Sequence, residues 1–357
     1  MKSVLLDKIG SVTANCRLSR EVRLGDDIPA REGSVVAVRV LTSKSTYNQL
    51  ELVSGRFSTL KPGDVCAVAL GHRNALFGYS GHLPKSVKPG QELNILNLGG
   101  VLGVCDSINP DFGPPFVCEV LGQVLHFPYL AERIGVPAHI SQGALPLSLR
   151  LDVRGIPVVA IVGSSMNAGK TAAACALVQA FVHVGIRVAA GKATGVSLRR
   201  DILGMEDAGA KKTAMFTDFG IVTTTGECAP KSARSILTHL AADAPDVIVL
   251  ELGDGLLGLY GVDAILDDRA VRETFSAVVL AASDPVAAWG GVQLLRDRHD
   301  LSTTVVTGPA TDNIAGIRLV HQQTGVPGKN ARTDPKGLGE MVLAACGLTA
   351  QHRALVA

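Results

Sequence analysis

Val158-Val159-Ala160-Ile161-Val162-Gly163-Ser164-Ser165-Met166-Asn167-Ala168-Gly169-Lys170-Thr171, followed by the apolar-rich run Ala172 to Gly185, decides the reading of this chain. Five apolar residues predict a buried strand, the Gly-containing stretch a tight loop, and the following run a helix. In that order, backbone N–H groups of the loop and the positive end of the helix form a cradle for phosphate. Gly163, Ser164, Ser165, Asn167, Ala168, Gly169, Lys170, Thr171 and Ala172 are the candidate binding residues. Gly169 allows close approach, Lys170 neutralises β/γ oxygens, and the Thr171 hydroxyl is a magnesium ligand. The usual first Gly of GxxxxGK[ST] is Ser164 here, with Gly163 one residue earlier.

Apolar strands alternate with helix-length amphipathic runs from Pro157 onward, the pattern of parallel βαβ units. Strands are predicted at 158–162, 186–190, 246–251, 277–282 and 303–307, and helices at 169–184, 231–242, 286–298, 313–324 and 335–345. Residues before 135 read instead as short β segments at 34–41, 64–70, 92–98 and 115–125. Turn signals such as Lys61-Pro62-Gly63-Asp64 separate them. A short helix is predicted over 128–135. The expected architecture is therefore α/β, a P-loop NTPase-like parallel sheet with helices on both faces, preceded by a β-rich barrel or sandwich. The expected division is a β-rich domain over 1–135, a linker over 136–156, and a nucleotide-binding domain over 157–357.

The 357 residues suit two domains, and 47% hydrophobic content supports a core in each. Thirty-four basic and 32 acidic side chains nearly cancel, and aromatics make up 4%. This balance argues against a nucleic-acid binder and for a small-molecule enzyme. The start lacks a long hydrophobic leader, and no run of about 18 apolar residues occurs, so a cytoplasmic protein without membrane contact is expected. Seven scattered cysteines with no CxxC pair indicate neither a disulfide framework nor a zinc site; most are expected as small buried hydrophobes, and Cys228 stands in a polar stretch.

The spacing Gly163, five residues, Gly169-Lys170-Thr171 resembles dethiobiotin synthetase and its relatives in the SIMIBI class of P-loop proteins. The layout downstream also resembles the P-loop domain of the D-glutamate N-acetyltransferase family. Both resemblances cover roughly residues 157–325 and leave the β-rich domain unmatched. They imply that Lys192 and Thr194, in Ala190-Gly191-Lys192-Ala193-Thr194-Gly195, lie where a lysine of dethiobiotin synthetase helps hold the transferred phosphate and substrate. A solvated lysine beside a turn is the alternative. Related folds often place the site at a dimer interface, which makes a homodimer an expectation of the same kind.

Asp246 to Glu251 is an apolar strand ending in a Gly-containing turn with two carboxylates, similar to the Glu-Gly-x-Gly segment of those relatives. Glu251 is the candidate magnesium-site acid; Asp254 is a substrate-side group or an ordinary turn cap. Phe216 to Gly220 with Thr223 to Glu227 is either a loop folding over the phosphates, with Asp218 completing the metal shell, or a surface loop. His72 and Arg73 are read as an anion or carboxylate pocket, or as exposed residues of a hairpin connection.

Ser165 occupies the place of the extra signature lysine of the MinD/ParA kind, which disfavours a partner-activated switch. No Asn/Thr-Lys-x-Asp follows the last strand, so ATP with Mg2+ is the default over a guanine nucleotide. The leading expectation is phosphoryl transfer by a kinase or ligase activating a small, carboxylate-bearing metabolite, with Lys170, Lys192 and Glu251 catalytic. Two alternatives stay open: a CoA-dependent N-acyltransferase using the loop for cofactor phosphates, and a nucleotide-dependent switch or metallochaperone.

Overall fold

The computed structural model describes residues 2–129 and 134–348. Two compact units are present. The first comprises Met1–Pro146, Val196–Arg200 and Phe216–Thr223; the second comprises Leu147–Gly195, Asp201–Met215 and Thr224–Ala357. This division differs from the expected one: no separate linker unit spans 136–156, and two short segments from beyond residue 157 fold with the first unit. Leu130–Arg133, the centre of the helix predicted over 128–135, lies outside the described residues.

The first unit is built on an eleven-stranded sheet. Five of its strands close into a ring, which resolves barrel against sandwich. Phe116–His126 pairs with Val35–Val40, which pairs with Val65–Leu70. Val65–Leu70 runs parallel to Val101–Ile108, and Glu92–Ile95 joins that strand back to Phe116–His126. Alternation along each strand separates two cores. Val36, Val38, Val40, Cys66, Val68 and Leu70 fill one, while Val35, Ala37, Ala67 and Ala69 fill the other.

The second unit carries a six-stranded parallel sheet. Its strands are β1 (Val158–Gly163), β2 (Val188–Lys192), β3 (Lys212–Met215), β4 (Val247–Glu251), β5 (Phe275–Ala281) and β6 (Val305–Thr307), in the spatial order β3-β2-β4-β1-β5-β6. The main helices are α1 (Lys170–His183), α2 (Arg200–Asp207), α3 (Ala229–Ala241), α4 (Val262–Asp267), α5 (Arg269–Arg272), α6 (Pro285–His299), α7 (Ile314–Thr324) and α8 (Pro335–Ala345). Val159, Ile161, Val247, Val249 and Val279 point to the face covered by α1 and α8. The opposite face receives α3, whose Ile236 and Leu240 reach Gly191, and α6, whose Gly291 lies against Leu280. Burial on both faces explains the near-continuous apolar strands.

Five strands and five helices fall where sequence periodicity places them. The strand β3 and the helices α2, α4 and α5 were not foreseen: Lys-Thr-Ala-Met is a four-residue edge strand paired to β2 alone, without an apolar run, and the three helices are eight residues or shorter. The seven cysteines are free; Cys66 and Cys118 are buried and the other five are intermediate. No helix among the described residues is long and apolar enough to cross a membrane.

Candidate functional site

At the C-terminal end of a parallel sheet, where open α/β sheets bind ligands, β1 runs into the loop and then into α1. Gly169 caps α1 with φ 99°, and Asn167 takes φ 62°, so the turn uses the two residue types that tolerate the left-handed region. The first helical hydrogen bond runs from Ala173 N–H to the Gly169 carbonyl at 2.9 Å. The N–H groups of Lys170, Thr171 and Ala172 therefore precede the helical ladder, and their partial charge is available to an anion. Ser164 N–H donates to the Ala281 carbonyl at 2.9 Å, which holds the loop to β5.

Lys170 is 6% exposed, and its Nζ folds back to donate to the Ser165 carbonyl at 2.8 Å. That path crosses Gly163, where a Cβ would lie 2.8 Å from Lys170 Cδ and Nζ. Gly163 is needed for this close approach, which gives the displaced first glycine of the motif a physical role. Burial pushes the Lys170 pKa down, and the Glu251 carboxylate beside it pulls the other way.

Glu251 ends β4 and stands in register with Ile161 of β1 and Lys192 of β2. Thr171 Oγ1 donates to its Oε1 at 3.2 Å, while Oε2 is buried without a hydrogen-bond partner. Burial raises the Glu251 pKa against the pull of Lys192. An unsatisfied carboxylate oxygen beside a hydroxyl is an oxygen donor set that fits a hard cation such as Mg2+. Among the described residues no three His, Cys, Asp or Glu side chains gather as an all-protein cage. A magnesium ion that takes most of its shell from phosphate and water does not require one.

Lys192, at the end of β2, is 8% exposed and ion-paired to Asp201 in the first turn of α2. Asp201, 7% exposed, was missed from sequence; its one signal is an acid in the first turn of a helix soon after the Lys192 strand end. Thr194 is not a substrate-facing hydroxyl: fully buried, it donates to the Gly253 carbonyl at 2.8 Å and ties the ends of β2 and β4 together. The loop after β4 packs tightly on the phosphate loop, with no room at Gly255 for a Cβ, which would sit 2.8 Å from the Ser164 carbonyl oxygen.

Asp254 is 7% exposed at φ 74°, and neither carboxylate oxygen has a hydrogen-bond partner of good geometry. Burial raises its pKa, with the Gly255 N–H and Lys170 only partly offsetting. A raised folded-state pKa means that the native state binds the proton more tightly. Stability from this group is present below the ordinary aspartate pKa and is lost as pH rises through the elevated value. Asp254→Asn, which keeps the shape and tolerates positive φ, is expected to raise the apo melting temperature at neutral pH and to flatten its pH slope. Thermal melts of both proteins from pH 4 to 8 check this, and a lower melting temperature for the variant at pH 7 would refute it.

The remaining expected residues, Asp218, His72 and Arg73, belong to the first unit. Asp218 belongs to the first unit, where Arg199 Nη1 donates to it at 3.2 Å. The stretch expected to fold over the phosphates is divided: Phe216–Thr223 goes to the first unit, while Thr224 in the second donates its hydroxyl to the Tyr260 carbonyl at 2.8 Å. His72 and Arg73 do not converge. His72 Nδ1 approaches Glu32 at 3.5 Å, whereas Arg73 points to Tyr47 and the Leu96 carbonyl. Successive residues of an extended chain face opposite sides.

No protein-family model matches the chain, and no curated protein matches it. Solved structures do show similarity. The signal recognition particle receptor FtsY from Elizabethkingia anophelis is 16% identical over 56% of this chain and 67% of its own, with a TM-score of 0.39. A DUF1611 family protein from Anabaena variabilis is 16% identical over 56% of this chain and 62% of its own, also at 0.39. A ParA family ATPase from Chlorobium tepidum is 14% identical over 56% of this chain and 94% of its own, at 0.34. The chain thus spans 62% of the length of the DUF1611 protein. At this overlap the assignment of the fold rests on sheet order and loop geometry within the chain itself.

Proposed function

We propose that the second unit binds a magnesium–nucleoside triphosphate and transfers its terminal phosphoryl group to a small, carboxylate-bearing metabolite, as a kinase or ligase. The observation that carries this reading is the convergence of Lys170, Thr171 and the half-unsatisfied Glu251 at the N-terminus of α1. In-line transfer spreads negative charge over the equatorial oxygens, and a site answers it with fixed positive groups. Here these are Lys170 and the N–H groups ahead of the α1 ladder. Lys192 stands at the end of β2, ion-paired to Asp201. Thr171 and Glu251 would hold Mg2+, which supplies charge neutralisation between the β- and γ-phosphates.

ATP is favoured because the segment after β6 has no Lys-x-Asp for guanine. Asp312 there accepts from Asn330 Nδ2 at 2.9 Å. Resemblance to dethiobiotin synthetase supports the transfer, and resemblance to the D-glutamate N-acetyltransferase family supports a different use of the same loop.

Calorimetric titration with ATP, GTP and acetyl-CoA, each with and without Mg2+, tests the proposal. Magnesium-dependent ATP binding is the expected result. Binding of GTP alone would keep the phosphate loop and overturn the base assignment. Silence with both nucleotides and binding of acetyl-CoA would replace phosphoryl transfer with acyl transfer.

A further inference from the structure

Two cations of the first unit lie in an aromatic nest, and among the described residues neither is paired to a carboxylate. Arg73 is 4% exposed; its Nη1 donates to the Leu96 carbonyl and to the Tyr47 hydroxyl at 3.0 Å. Its Cζ is 5.8 Å from the Tyr47 ring centroid, and its buried Nε has no partner. Lys44 Nζ reaches the Tyr79 hydroxyl and donates to the Pro114 carbonyl at 2.9 Å. It lies 5.0 Å from the Tyr79 ring centroid and 6.0 Å from that of Tyr47. Among the described residues, the partners of both cations are carbonyls, phenols and rings, never a carboxylate.

The acid on the neighbouring strand, Asp106, is taken by His82 at 2.8 Å. Burial raises the Cys105 thiol pKa and the Asp106 carboxylate adds to that, while Arg73 and Lys44 both pull it down, so the two cations act on one place. Burial likewise lowers the Lys44 pKa. Removing a guanidinium from water without a counter-ion is costly, and a second uncompensated cation near the same tyrosine ring adds to the cost.

The walls are apolar and flat. Tyr47 stacks on Phe112 with centroids 4.7 Å apart, and Phe77 meets Phe112 edge-on at 5.2 Å. Leu76, Phe77 and Ile108 are exposed, Ile108 being the cross-strand partner of Tyr79. Paired cations without an acid, beside an exposed apolar rim, match a ligand with one anionic end and one hydrophobic end.

We propose that the first unit carries a small-molecule site at Lys44, Arg73 and Tyr47 for an amphiphilic carboxylate, its anionic head between the two cations and its apolar body on Phe77 and Ile108. The site is independent of the nucleotide reading of the second unit. The carboxylate exchanges charge-assisted hydrogen bonds with water for bonds to Lys44 and Arg73, while the rim excludes solvent from the body.

The test is calorimetric titration of the full-length protein with phenylpropionate, with its neutral amide and inorganic phosphate as comparisons. Saturable binding of the carboxylate and none of the amide is expected. Lys44→Met should weaken that binding by about tenfold or more. Phe77→Ser, at an exposed position, should weaken it several-fold even if the lysine variant folds poorly, and melting curves report folding for each. No saturable binding of phenylpropionate, or equal affinity in a folded Lys44→Met protein, would overturn the site. Tighter binding of phosphate than of phenylpropionate would overturn the carboxylate assignment.

Discussion

Replacing Lys170 with alanine is expected to abolish magnesium-dependent nucleotide binding and any turnover that depends on it, while the protein stays folded. Lys170 begins α1, and its ammonium is threaded over Gly163 to the Ser165 carbonyl, inside the loop. Burial lowers its pKa in the unliganded protein. The neighbouring Glu251 carboxylate compensates that charge only in part, and phosphate oxygens would supply the rest. Loss of one such fixed electrostatic group costs about 10² to 10³-fold in rate in a preorganised site. Alanine is the best helix former, and the apolar face of α1, from Ala173 to Phe181, is untouched. Titration with Mg–ATP, alongside circular dichroism and a melting curve, checks both halves of the prediction. Wild-type affinity in the folded variant would remove the phosphate loop as the nucleotide site.

Glu251→Gln is the second large effect, and it separates metal from phosphate. The amide retains an oxygen to accept from Thr171, so the tie between β4 and α1 persists. A neutral amide is a far weaker ligand for Mg2+ than a carboxylate. Nucleotide affinity should fall about 10- to 100-fold in the presence of Mg2+, the range typical of damage to a metal's support. The variant should bind metal-free nucleotide at least as well as the wild type, because one negative charge facing the phosphates is gone. Its apo form should also melt higher at neutral pH, since burial raises the Glu251 pKa and the amide carries no charge. Titrations with Mg2+ and with chelator, plus a melting curve, decide the matter. An unchanged magnesium dependence would exclude Glu251 from the metal site.

The sequence by itself determined what is local. A strand, a loop and a helix that follow one another within about 25 residues read directly as β1, the phosphate loop and α1, because their geometry comes from neighbouring residues. Glu251 was legible for the same reason, as the polar end of an apolar strand. Turn signals between short apolar runs also marked the strands of the first unit.

Only the tertiary structure decided who meets whom. Ring closure of the barrel needs Glu92–Ile95 to pair on both sides, a register no local pattern encodes. Arg199 claims Asp218, and the pairing of Lys192 with Asp201 depends on where α2 begins. His72 and Arg73 are neighbours in sequence yet turn to Glu32 and Tyr47, and Arg73 comes to the same Tyr47 ring as Lys44. Backbone periodicity is set by sterics within a few residues, whereas a buried charge finds its partner through packing between segments far apart in the chain. Composition names the charged groups, but the fold assigns their partners.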